Sequence, residues 1–388
     1  MHICYVLGAF PTTSETFISD EIVSLTKVGH KVTIARISRG TAANHANVTW
    51  IKENLKIVDI ELPTGTTESL SLLLDICLKR RTIRPLNALL THHPRWSITA
   101  MLPTFLGLLN DRFDHIHAHF ADKQALLAHA LAELMDVPFS FTMHGYDIRE
   151  LPIGIDNLLL VTKAAKCVFT VSDANITSLK SHGINTDKFE VIPCGIDTSK
   201  FSMSSNPYDG GQLIISCVAR LHPIKNHMTL LKALSMGDLN VDFKLKLIGD
   251  GEMKDDLVDF VNNNSNLKQR VSFLGALASE QVLKELQCSH VHVLPSFNEG
   301  MPVANTEAMA AGLVCIASNV GGLPEAIQHG KNGFLFDPQH PDQLKNTIED
   351  IYFGKIDARR ISMNARAQTL AKFDQIKLIQ LKLDKMLS

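Results

Sequence analysis

Short apolar runs recur along the chain and alternate with longer stretches of helical periodicity. Such runs are typical of parallel strands buried on both faces, and their alternation with helices predicts an α/β protein with parallel sheets. We predict strands at Ile3–Leu7, Lys31–Ala35, Leu55–Ile60, Asp114–Phe120, Pro138–Met143, Cys167–Val171, Leu213–Val218, Phe243–Ile248, Val271–Leu274, His290–Leu294 and Val314–Ser318. The predicted helices include Ser19–Val28, Lys123–Met135 and one long amphipathic helix from Ala358 to Leu387.

A polar segment interrupts this alternation near the middle of the chain. Residues 202–211 contain proline and glycine and no apolar periodicity, which is typical of a linker. Strand and helix patterns continue on both sides, so we predict two Rossmann-like domains, residues 1–200 and 212–365, with a cleft between them.

Composition limits the class of protein. The 388 residues are 45% hydrophobic and 20% charged with a formal net charge of −2, which fits a soluble globular protein and gives no sign of nucleic-acid binding. The seven cysteines show no metal-ligand spacing and indicate reduced thiols. The N-terminus lacks a signal-peptide pattern and no apolar run approaches the roughly 20 residues of a membrane span, so we expect a cytoplasmic protein.

One basic amphipathic stretch adds a possible membrane contact. Lys79–Trp96 combines a cluster of cations with apolar residues, a pattern that suits an anionic membrane surface. The protein would then bind peripherally at the cytoplasmic face of the inner membrane. The alternative is a solvated helix face, which such a pattern also describes.

The most specific pattern lies between His290 and Phe336. A strand is followed by a loop with Glu299 and by a nearly apolar helix that carries Glu307. A helix with so few polar positions is buried, and a carboxylate on it needs a partner. The N–H groups of residues 300–303 precede the helix and form a natural anion site. Two carboxylates beside an anion site suit a ligand with phosphates and hydroxyls, such as a nucleotide sugar.

The boundaries of that helix are also predicted by its sequence. Pro302 suits the first helical position, where no N–H is needed, and Gly312 suits the position just after the last turn. The alternative interpretation of the stretch is a buried helix with an internally satisfied Glu307 and a solvated Glu299.

Three further loops follow predicted strands of the second half. Arg220 and Lys225 follow one strand and can hold a diphosphate, although two solvated surface cations would look the same. Gly249 and Gly251 let a backbone approach a ligand, or belong to an ordinary turn. Leu274 ends a third strand and can flank a nucleobase.

The first half offers candidates in a different pattern. His144 follows a strand and suits acid–base work or a hydrogen bond to a sugar hydroxyl, although a histidine at a strand end is by itself more often structural. His115, His117 and His119 alternate along one strand, but no matching carboxylate or cysteine set accompanies them, so we predict no metal site. By their own sequence positions, Asp20, Glu21 and Asp147 are interpreted as caps or solvated groups.

Several motifs in order resemble glycosyltransferase family 4, and in particular its colanic acid and exopolysaccharide members. The resemblance rests on Glu299-Gly300-Met301-Pro302, Glu307-Ala308-Met309-Ala310, Gly321-Gly322-Leu323-Pro324-Glu325, Arg220 with Lys225, Gly249-Asp250-Gly251, and the segments FPTTSETFISDEI, HIHAHFA and FTMHGYDI. It implies a GT-B fold with two facing Rossmann-like domains. Residues 366–388 would form a C-terminal helix that packs back on the N-terminal, acceptor-binding domain.

The resemblance also implies roles for individual residues. Arg220 and Lys225 would bind the donor diphosphate, Glu307 the ribose hydroxyls, and Glu299 with residues 300–303 the transferred sugar. The implied catalytic residues are His144, Glu299, Arg220 and Lys225. The implied donor site comprises Arg220, Lys225, Gly249, Gly251, Leu274, Glu299, Gly300, Met301, Pro302, Val303 and Glu307. The implied acceptor side comprises Ser14, Glu15, Thr16, Phe17 and Asp147.

By the same resemblance, the activity would be a retaining, metal-independent transfer of a hexose from a UDP- or GDP-sugar. The acceptor would be a saccharide or a lipid-linked oligosaccharide in cell-surface polysaccharide assembly. Two alternatives use the same binding features. One is a nucleotide-sugar epimerase of GT-B fold, and the other is a nucleotide-sugar-binding protein without catalysis.

Overall fold

The computed structural model describes residues 1–12, 15–41, 46–60, 104, 107–108, 111–202, 208–237 and 239–388. Its contacts divide the chain into two compact units. The N-terminal unit comprises Met1–Pro193 together with Leu378–Ser388, and the C-terminal unit comprises Cys194–Lys377. The basic stretch Lys79–Trp96 and part of the predicted linker 202–211 lie outside the described residues.

The N-terminal unit is built on a parallel sheet of seven strands in the order β3-β2-β1-β4-β5-β6-β7. Its strands are β1 His2–Phe10, β2 Lys31–Arg39, β3 Lys56–Asp59, β4 His115–His119, β5 Phe139–Met143, β6 Cys167–Thr170 and β7 Phe189–Val191. Its helices are α1 Thr16–Lys27, α2 Ala46–Asn54, α3 Lys123–Met135, α4 Tyr146–Arg149, α5 Gly154–Ala164 and α6 Asp173–Ser181. The nearly all-buried α3 packs in one core cluster and α1 in another, as in a doubly wound sheet.

The C-terminal unit repeats this topology with six parallel strands in the order β10-β9-β8-β11-β12-β13. Its strands are β8 Leu213–Val218, β9 Phe243–Ile248, β10 Val271–Gly275, β11 Val291–Leu294, β12 Val314–Ser318 and β13 Phe334–Phe336. Its helices are α7 His227–Ser235, α8 Lys254–Asn262, α9 Ser279–Gln287, α10 Val303–Ala310, α11 Leu323–Ala326, α12 Pro341–Tyr352 and α13 Ala358–Lys372. A last helix, α14, spans Gln375–Leu387.

The predicted strands are all present, with ends that differ by a few residues from the prediction. The single long C-terminal helix is wrong, because the chain breaks between α13 and α14. Asp374 explains the break. Its side chain accepts a hydrogen bond from the N–H of Lys377 at 3.1 Å, which starts a new helix, and another from Thr198 Oγ1 at 2.8 Å. The residue before it, Phe373, is buried in the C-terminal unit.

The N-terminal end of α10 differs slightly from the prediction. Val303 is the first helical residue, and Pro302 precedes it with extended backbone angles. The carbonyl of Pro302 already accepts hydrogen bonds from the N–H groups of Asn305 and Thr306, so it acts as the capping residue. The predicted end is confirmed, since Gly312 has φ +80° just after the last turn.

Both sheets change winding direction at one point, between β1 and β4 in the first and between β8 and β11 in the second. Loops at the carboxyl ends of strands meet at such points and form ligand sites in doubly wound proteins. No helix among the described residues has the length and apolar character to cross a membrane.

Candidate functional site

In the C-terminal unit, the loop after β8 is held by backbone hydrogen bonds to the loop after β9. The N–H of Leu221 donates to the carbonyl of Asp250 at 3.0 Å, and the N–H of Met253 donates to the carbonyl of Leu221 at 2.9 Å. This approach requires glycine. A Cβ on Gly249, where φ is +143°, would lie 2.0 Å from the carbonyl oxygen of Ala219.

Gly251 is constrained in the same way. Its φ is +157°, and a Cβ there would lie 2.5 Å from the carbonyl oxygen of Leu221. Both predicted glycines therefore allow two loops to touch, which is a structural reason for their presence. Leu274 lies half-buried near the end of β10, where the ladder to β9 is irregular.

The loop after β8 is also attached to the loop after β11. Asn226 donates from its side chain to the carbonyl of Pro295 at 3.1 Å, and the N–H of Phe297 donates to the carbonyl of Ile224 at 2.8 Å. These contacts bring Lys225 against Glu299. The Lys225 Nζ lies 2.6 Å from Glu299 Oε1, which also accepts a hydrogen bond from Ser296 Oγ at 2.6 Å.

The environment of Glu299 excludes the solvated interpretation of this residue. Its side chain is 8% exposed and that of Lys225 is 20% exposed. A carboxylate in such a place requires a cation or hydrogen-bond donors, and Lys225 and Ser296 supply both. Two residues that the sequence assigned to separate tasks, one to the phosphates and one to the sugar, are therefore partners of each other.

The backbone of Glu299 is held by the paired glycines after β12. The N–H of Gly322 donates to the carbonyl of Glu299 at 3.1 Å. A Cβ on Gly321, where φ is +53°, would lie 1.8 Å from that carbonyl oxygen. The glycine pair in the sequence motif is thus needed to seat the loop that carries Glu299.

The amino end of α10 follows directly. The N–H groups of Val303 and Ala304 come before the first intrahelical hydrogen bonds, which start at Asn305. An eight-residue helix places partial positive charge at this end. Gly300 and Pro302 are half-buried, Met301 is buried, and Glu307 is half-buried one turn further along.

Arg220 completes the group with a freely exposed cation at the carboxyl end of β8. One edge of the sheet therefore gathers two cations, a carboxylate, a helix amino end and close backbone loops. This set can bind a diphosphate and hydroxyl groups. Most donor-site residues predicted in residues 220–307 lie in loops or at a helix start that follow strands of this sheet, whereas Leu274 lies within β10 and Glu307 lies within α10.

In the N-terminal unit, His144 lies at the carboxyl end of β5 among aromatic rings. Its ring centroid is 4.6 Å from that of Phe120, 4.8 Å from that of Phe17 and 5.2 Å from that of His119. His144 Nε2 and His119 Nδ1 are 2.9 Å apart and share a hydrogen bond. Burial, with His119 and Lys382 nearby, lowers the pKa of His144 well below the usual value, so the ring is neutral near pH 7.

The predicted acceptor-side residues divide into two groups. Glu15, Thr16 and Phe17 lie half-buried at the start of α1, beyond β1, and Ser14 lies outside the described residues. Asp147 is different, because its side chain is fully buried.

Asp147 organises the loop that carries His144. One carboxylate oxygen accepts hydrogen bonds from the N–H groups of His144 and Gly145, both at 2.9 Å. The other accepts one from the N–H of Ala121 at 2.8 Å. Burial raises the pKa of this carboxyl, and the three N–H groups oppose that shift. Asp147 therefore caps backbone N–H groups, but the interpretation of it as a solvated group is wrong, because its buried side chain joins two loops.

Glu21 is half-buried rather than solvated, and its carboxylate lies against the histidine strand. Its Oε1 accepts a hydrogen bond from the Tyr5 hydroxyl at 2.6 Å and lies 2.7 Å from Lys382 Nζ and 3.4 Å from His119 Nε2. Burial opposes ionisation, but Lys382 and His119 outweigh it and hold the pKa of Glu21 well below its usual range.

This carboxylate is the partner that the sequence did not reveal for the alternating histidines. Ligand atoms of Glu21, His117 and His119 lie within 4.8 Å of one another, a spacing that a metal ion could use. The Lys382 ammonium already supplies a positive charge to the same carboxylate oxygen. His117 is engaged on both ring nitrogens, with Ser140 Oγ at 2.7 Å and Thr142 Oγ1 at 3.0 Å.

Comparison with known families finds a match for each half of the chain. The profile of Glycosyltransferase Family 4 matches residues 14–200, and that of Glycosyl transferases group 1 matches residues 199–368. The two matches are contiguous and together cover most of the chain. The chain belongs to glycosyltransferase family 4.

Two curated relatives of this glycosyltransferase are similar over most of its length. It is 28% identical over 300 residues to UDP-Gal:alpha-D-GlcNAc-diphosphoundecaprenol alpha-1,3-galactosyltransferase of Escherichia coli, which covers 72% of this chain and 76% of that protein. It is 25% identical to a protein of Salmonella typhimurium named for colanic acid biosynthesis, the glycosyltransferase WcaL, over 97% of each chain.

A solved glycosyltransferase shows the same fold. The crystal structure of HepE from Anabaena in complex with UDP superposes with a TM-score of 0.77 and 19% identity, covering 100% of this chain and 99% of that one. The predicted fold class is confirmed as GT-B, with two Rossmann-like units that each contain a parallel sheet.

Sequence reasoning missed Glu21 and Lys382 in this family 4 enzyme, although a signal was present. Lys382 shares a helix face with Ile379, Leu383 and Met386, which are all buried. A charged residue on the apolar face of a helix needs a partner, and Glu21 lies on the buried face of α1 beside Ile18 and Ile22 in the same way.

Proposed function

We propose that this glycosyltransferase transfers a hexose from a UDP- or GDP-sugar to a saccharide or lipid-linked acceptor during cell-surface polysaccharide assembly. The proposal rests chiefly on one observation, the Lys225–Glu299 pair beside the amino end of α10. The printed names of the relatives support it, since one transfers galactose from UDP-Gal to an undecaprenol-linked sugar and another is named for colanic acid biosynthesis.

The donor diphosphate would lie between Arg220, Lys225 and the N–H groups at the start of α10. Arg220 contributes an exposed guanidinium that can bind two phosphate oxygens, and Lys225 contributes a point charge. With Lys225 held by Glu299, the ammonium is fixed in place before the donor arrives. These groups would stabilise the negative charge that develops on the departing phosphate, without a metal ion.

The carboxylates would then bind hydroxyls rather than transfer protons. Glu307 would accept hydrogen bonds from the ribose. Glu299 has one oxygen engaged by Lys225 and Ser296, and its carboxylate would bind the transferred sugar. His144 would form a hydrogen bond to a sugar hydroxyl, and the acceptor hydroxyl would attack from the face that the phosphate leaves, which retains the anomeric configuration.

A thermal-shift series with UDP, GDP, UDP-glucose, UDP-galactose and GDP-mannose tests the donor site. A ligand that binds only the folded state raises the midpoint of unfolding, so we expect one base to be selected. Glu307→Ala should abolish that shift, and the exposed Glu280→Ala on α9 is the matched control. A full shift in Glu307→Ala would contradict the ribose assignment.

Turnover then tests the reaction class. With the selected donor carrying a radiolabelled sugar and undecaprenol-linked acceptors extracted from membranes, label should move into the lipid phase. Free epimerised nucleotide sugar without acceptor would instead indicate an epimerase. Tight donor binding without transfer to saccharide or lipid acceptors would indicate a binding protein.

A further inference from the structure

Four polar side chains, two of them buried and two half-buried, form a continuous line from the C-terminal helix to His144. Lys382 Nζ on α14 lies 2.7 Å from Glu21 Oε1 on α1, and that oxygen lies 3.4 Å from His119 Nε2 on β4. His119 Nδ1 is 2.9 Å from His144 Nε2. The side chains of Lys382 and His119 are 8% and 1% exposed, so water does not replace these contacts.

The first part of the line fixes a negative charge beside His119. Lys382 and the Tyr5 hydroxyl both donate to Glu21 Oε1, at 2.7 and 2.6 Å. Burial raises the pKa of Tyr5, which keeps its hydroxyl protonated as a donor. Burial alone would favour a protonated Glu21, but Lys382 and His119 hold its pKa well below the usual range. An ionised carboxylate can only accept hydrogen bonds.

The second part follows from the two nitrogens of His119. Burial lowers the pKa of His119, so its ring is neutral and carries one proton. Its Nε2 is buried and makes no well-aligned hydrogen bond to the described residues, but Glu21 Oε1 lies 3.4 Å from it. A proton on Nε2 is attracted by the carboxylate, whereas a lone pair there would be repelled. The proton therefore resides on Nε2, and Nδ1 accepts.

The position of the proton on His119 determines the position of the proton on His144. Since His119 Nδ1 accepts, His144 Nε2 must donate the hydrogen bond between them. His144 is neutral, so its Nδ1 carries a lone pair and can only accept. The rings of Phe17 and Phe120 pack against His144 and restrict its rotation.

We propose that Lys382, Glu21 and His119 are positioning residues that hold His144 in the Nε2–H tautomer, so that its Nδ1 is a hydrogen-bond acceptor when the substrate binds. This inference deepens the proposed function and rests on it for the role of His144. It makes α14, the last helix of the chain, a contributor to catalysis through two intermediate side chains.

The tautomers can be measured without any substrate. In the full chain labelled with ¹⁵N-histidine, long-range ¹H–¹⁵N correlation spectra distinguish Nε2–H from Nδ1–H rings. Single His119→Asn and His144→Asn variants assign the two signals. We expect both rings as the Nε2–H tautomer in the wild type. In Glu21→Gln, the side chain can donate as well as accept, so Nδ1–H forms should appear at both rings.

A matched lysine on the same helix separates positioning from helix docking. Lys385 pairs with Glu190 at 2.7 Å, the same distance as the Lys382–Glu21 pair, but does not touch the histidines. Lys382→Met should shift the tautomer populations and lower kcat by about 10- to 100-fold, the usual range for residues that orient a catalytic group. KM for the nucleotide sugar should change little, since the diphosphate-binding residues are untouched. Lys385→Met should leave tautomers and kcat as in the wild type.

Each outcome decides a separate point. Unchanged Nε2–H tautomers in Glu21→Gln, or a loss of kcat in Lys385→Met equal to that in Lys382→Met, would overturn the positioning role. The spectra need no turnover, so they remain decisive if the wild type transfers no sugar. A wild type that transfers no sugar would overturn the proposed function and leave the tautomer assignment standing.

Discussion

The two units share a strand order, yet they hold their site loops by different means. In the C-terminal unit, loops approach through glycines and backbone hydrogen bonds, as at Gly249 and Gly321. In the N-terminal unit, buried side chains hold the corresponding edge, with Asp147 capping loop N–H groups and Glu21 meeting the histidine strand.

This difference determines what each site responds to. A backbone-held loop has fixed geometry over a wide pH range and tolerates no added side chain. A loop held by titratable side chains depends on their protonation states. We expect the glycine-held loops of the C-terminal unit to keep their structure as the pH changes but to be disrupted by an added side chain. We expect the loops around His144 in the N-terminal unit to depend on pH more strongly.

Acid should therefore have the largest effect, mainly on the N-terminal unit. Burial, with Lys166 and Lys382, lowers the pKa of His115 to about 4, against an ordinary value near 6.5. The unfolded chain takes up protons first as the pH falls, so the stabilisation is complete above about pH 6.5 and is lost towards pH 4. From the shift of His115 alone we expect a loss of about 3 kcal/mol of unfolding free energy by pH 4.

Other histidines set the contrast between the units. In the N-terminal unit the pKa values of five more histidines are lowered, those of His2, His30, His117, His119 and His144. In the C-terminal unit burial lowers the pKa of His227 and His292 to about 4 and also lowers that of His290. Among the described residues the contrast is therefore one of number, six such histidines against three. Trp50 and Trp96 are the only tryptophans and both precede residue 200, so fluorescence reports the N-terminal half. Hydrogen exchange reports both units. If the amides of both units lost protection from exchange at the same pH, the expectation that acid acts mainly on the N-terminal unit would be wrong.

A methyl group at Gly321 should have the next largest effect, confined to the C-terminal unit. In Gly321→Ala the Cβ would lie 1.8 Å from the carbonyl oxygen of Glu299, at a φ of +53°. We expect a loss of about 3 kcal/mol and of nucleotide binding, from steric overlap plus left-handed strain.

Gly330 is a matched control for that substitution. It has φ +75° with nothing within 4 Å of a Cβ, so Gly330→Ala carries the backbone cost alone, about 1 kcal/mol. Urea unfolding followed by hydrogen exchange measures both variants. Equal losses would mean that the close approach to Glu299 is unimportant.

Asp147→Asn should weaken the N-terminal unit by about 2 kcal/mol. An amide keeps one acceptor oxygen but turns an NH₂ group towards backbone N–H groups, which leaves a buried donor unpaired. Urea unfolding monitored by tryptophan fluorescence checks this value. Asp156 on α5 is exposed, and Asp156→Asn should change stability by less than about 0.5 kcal/mol. Equal stabilities of the two variants would show that side chains do not hold this edge.

Arg220→Gln should have the smallest effect on stability and a clear effect on binding. The exposed guanidinium contributes within about 0.5 kcal/mol to folding, but its loss should weaken UDP or GDP binding about 10-fold. Calorimetric titration measures the affinity, with the exposed Arg359→Gln on α13 as control. Unchanged affinity would remove Arg220 from the diphosphate site.

The donor side was visible in the sequence because its determinants are local. Glu299, Pro302, Glu307 and the Gly321-Gly322 pair stand at short fixed spacings, and glycines are required where backbones touch. The pairing of Lys225 with Glu299 was not predicted, because it depends on how two loops of neighbouring strands meet.

The histidine side could be predicted only in part. The alternation of His115, His117 and His119 and the strand-end position of His144 were evident. Lys382 and Glu21 are separated by 361 residues, so no local pattern links them. The break before α14 was missed for a related reason. A single capping aspartate, Asp374, interrupts a helical pattern that continues on both sides.

The position of α14 has a consequence for the biosynthesis of the enzyme. Ile379, Leu383 and Met386 fill a core cluster of the N-terminal unit, yet the ribosome makes them after the whole C-terminal unit. The N-terminal unit therefore cannot complete its core until α14 has been synthesised, and Glu21 lacks the Lys382 ammonium until then. Nascent chains should expose that apolar face until α14 has emerged, which makes this unit a target for chaperones.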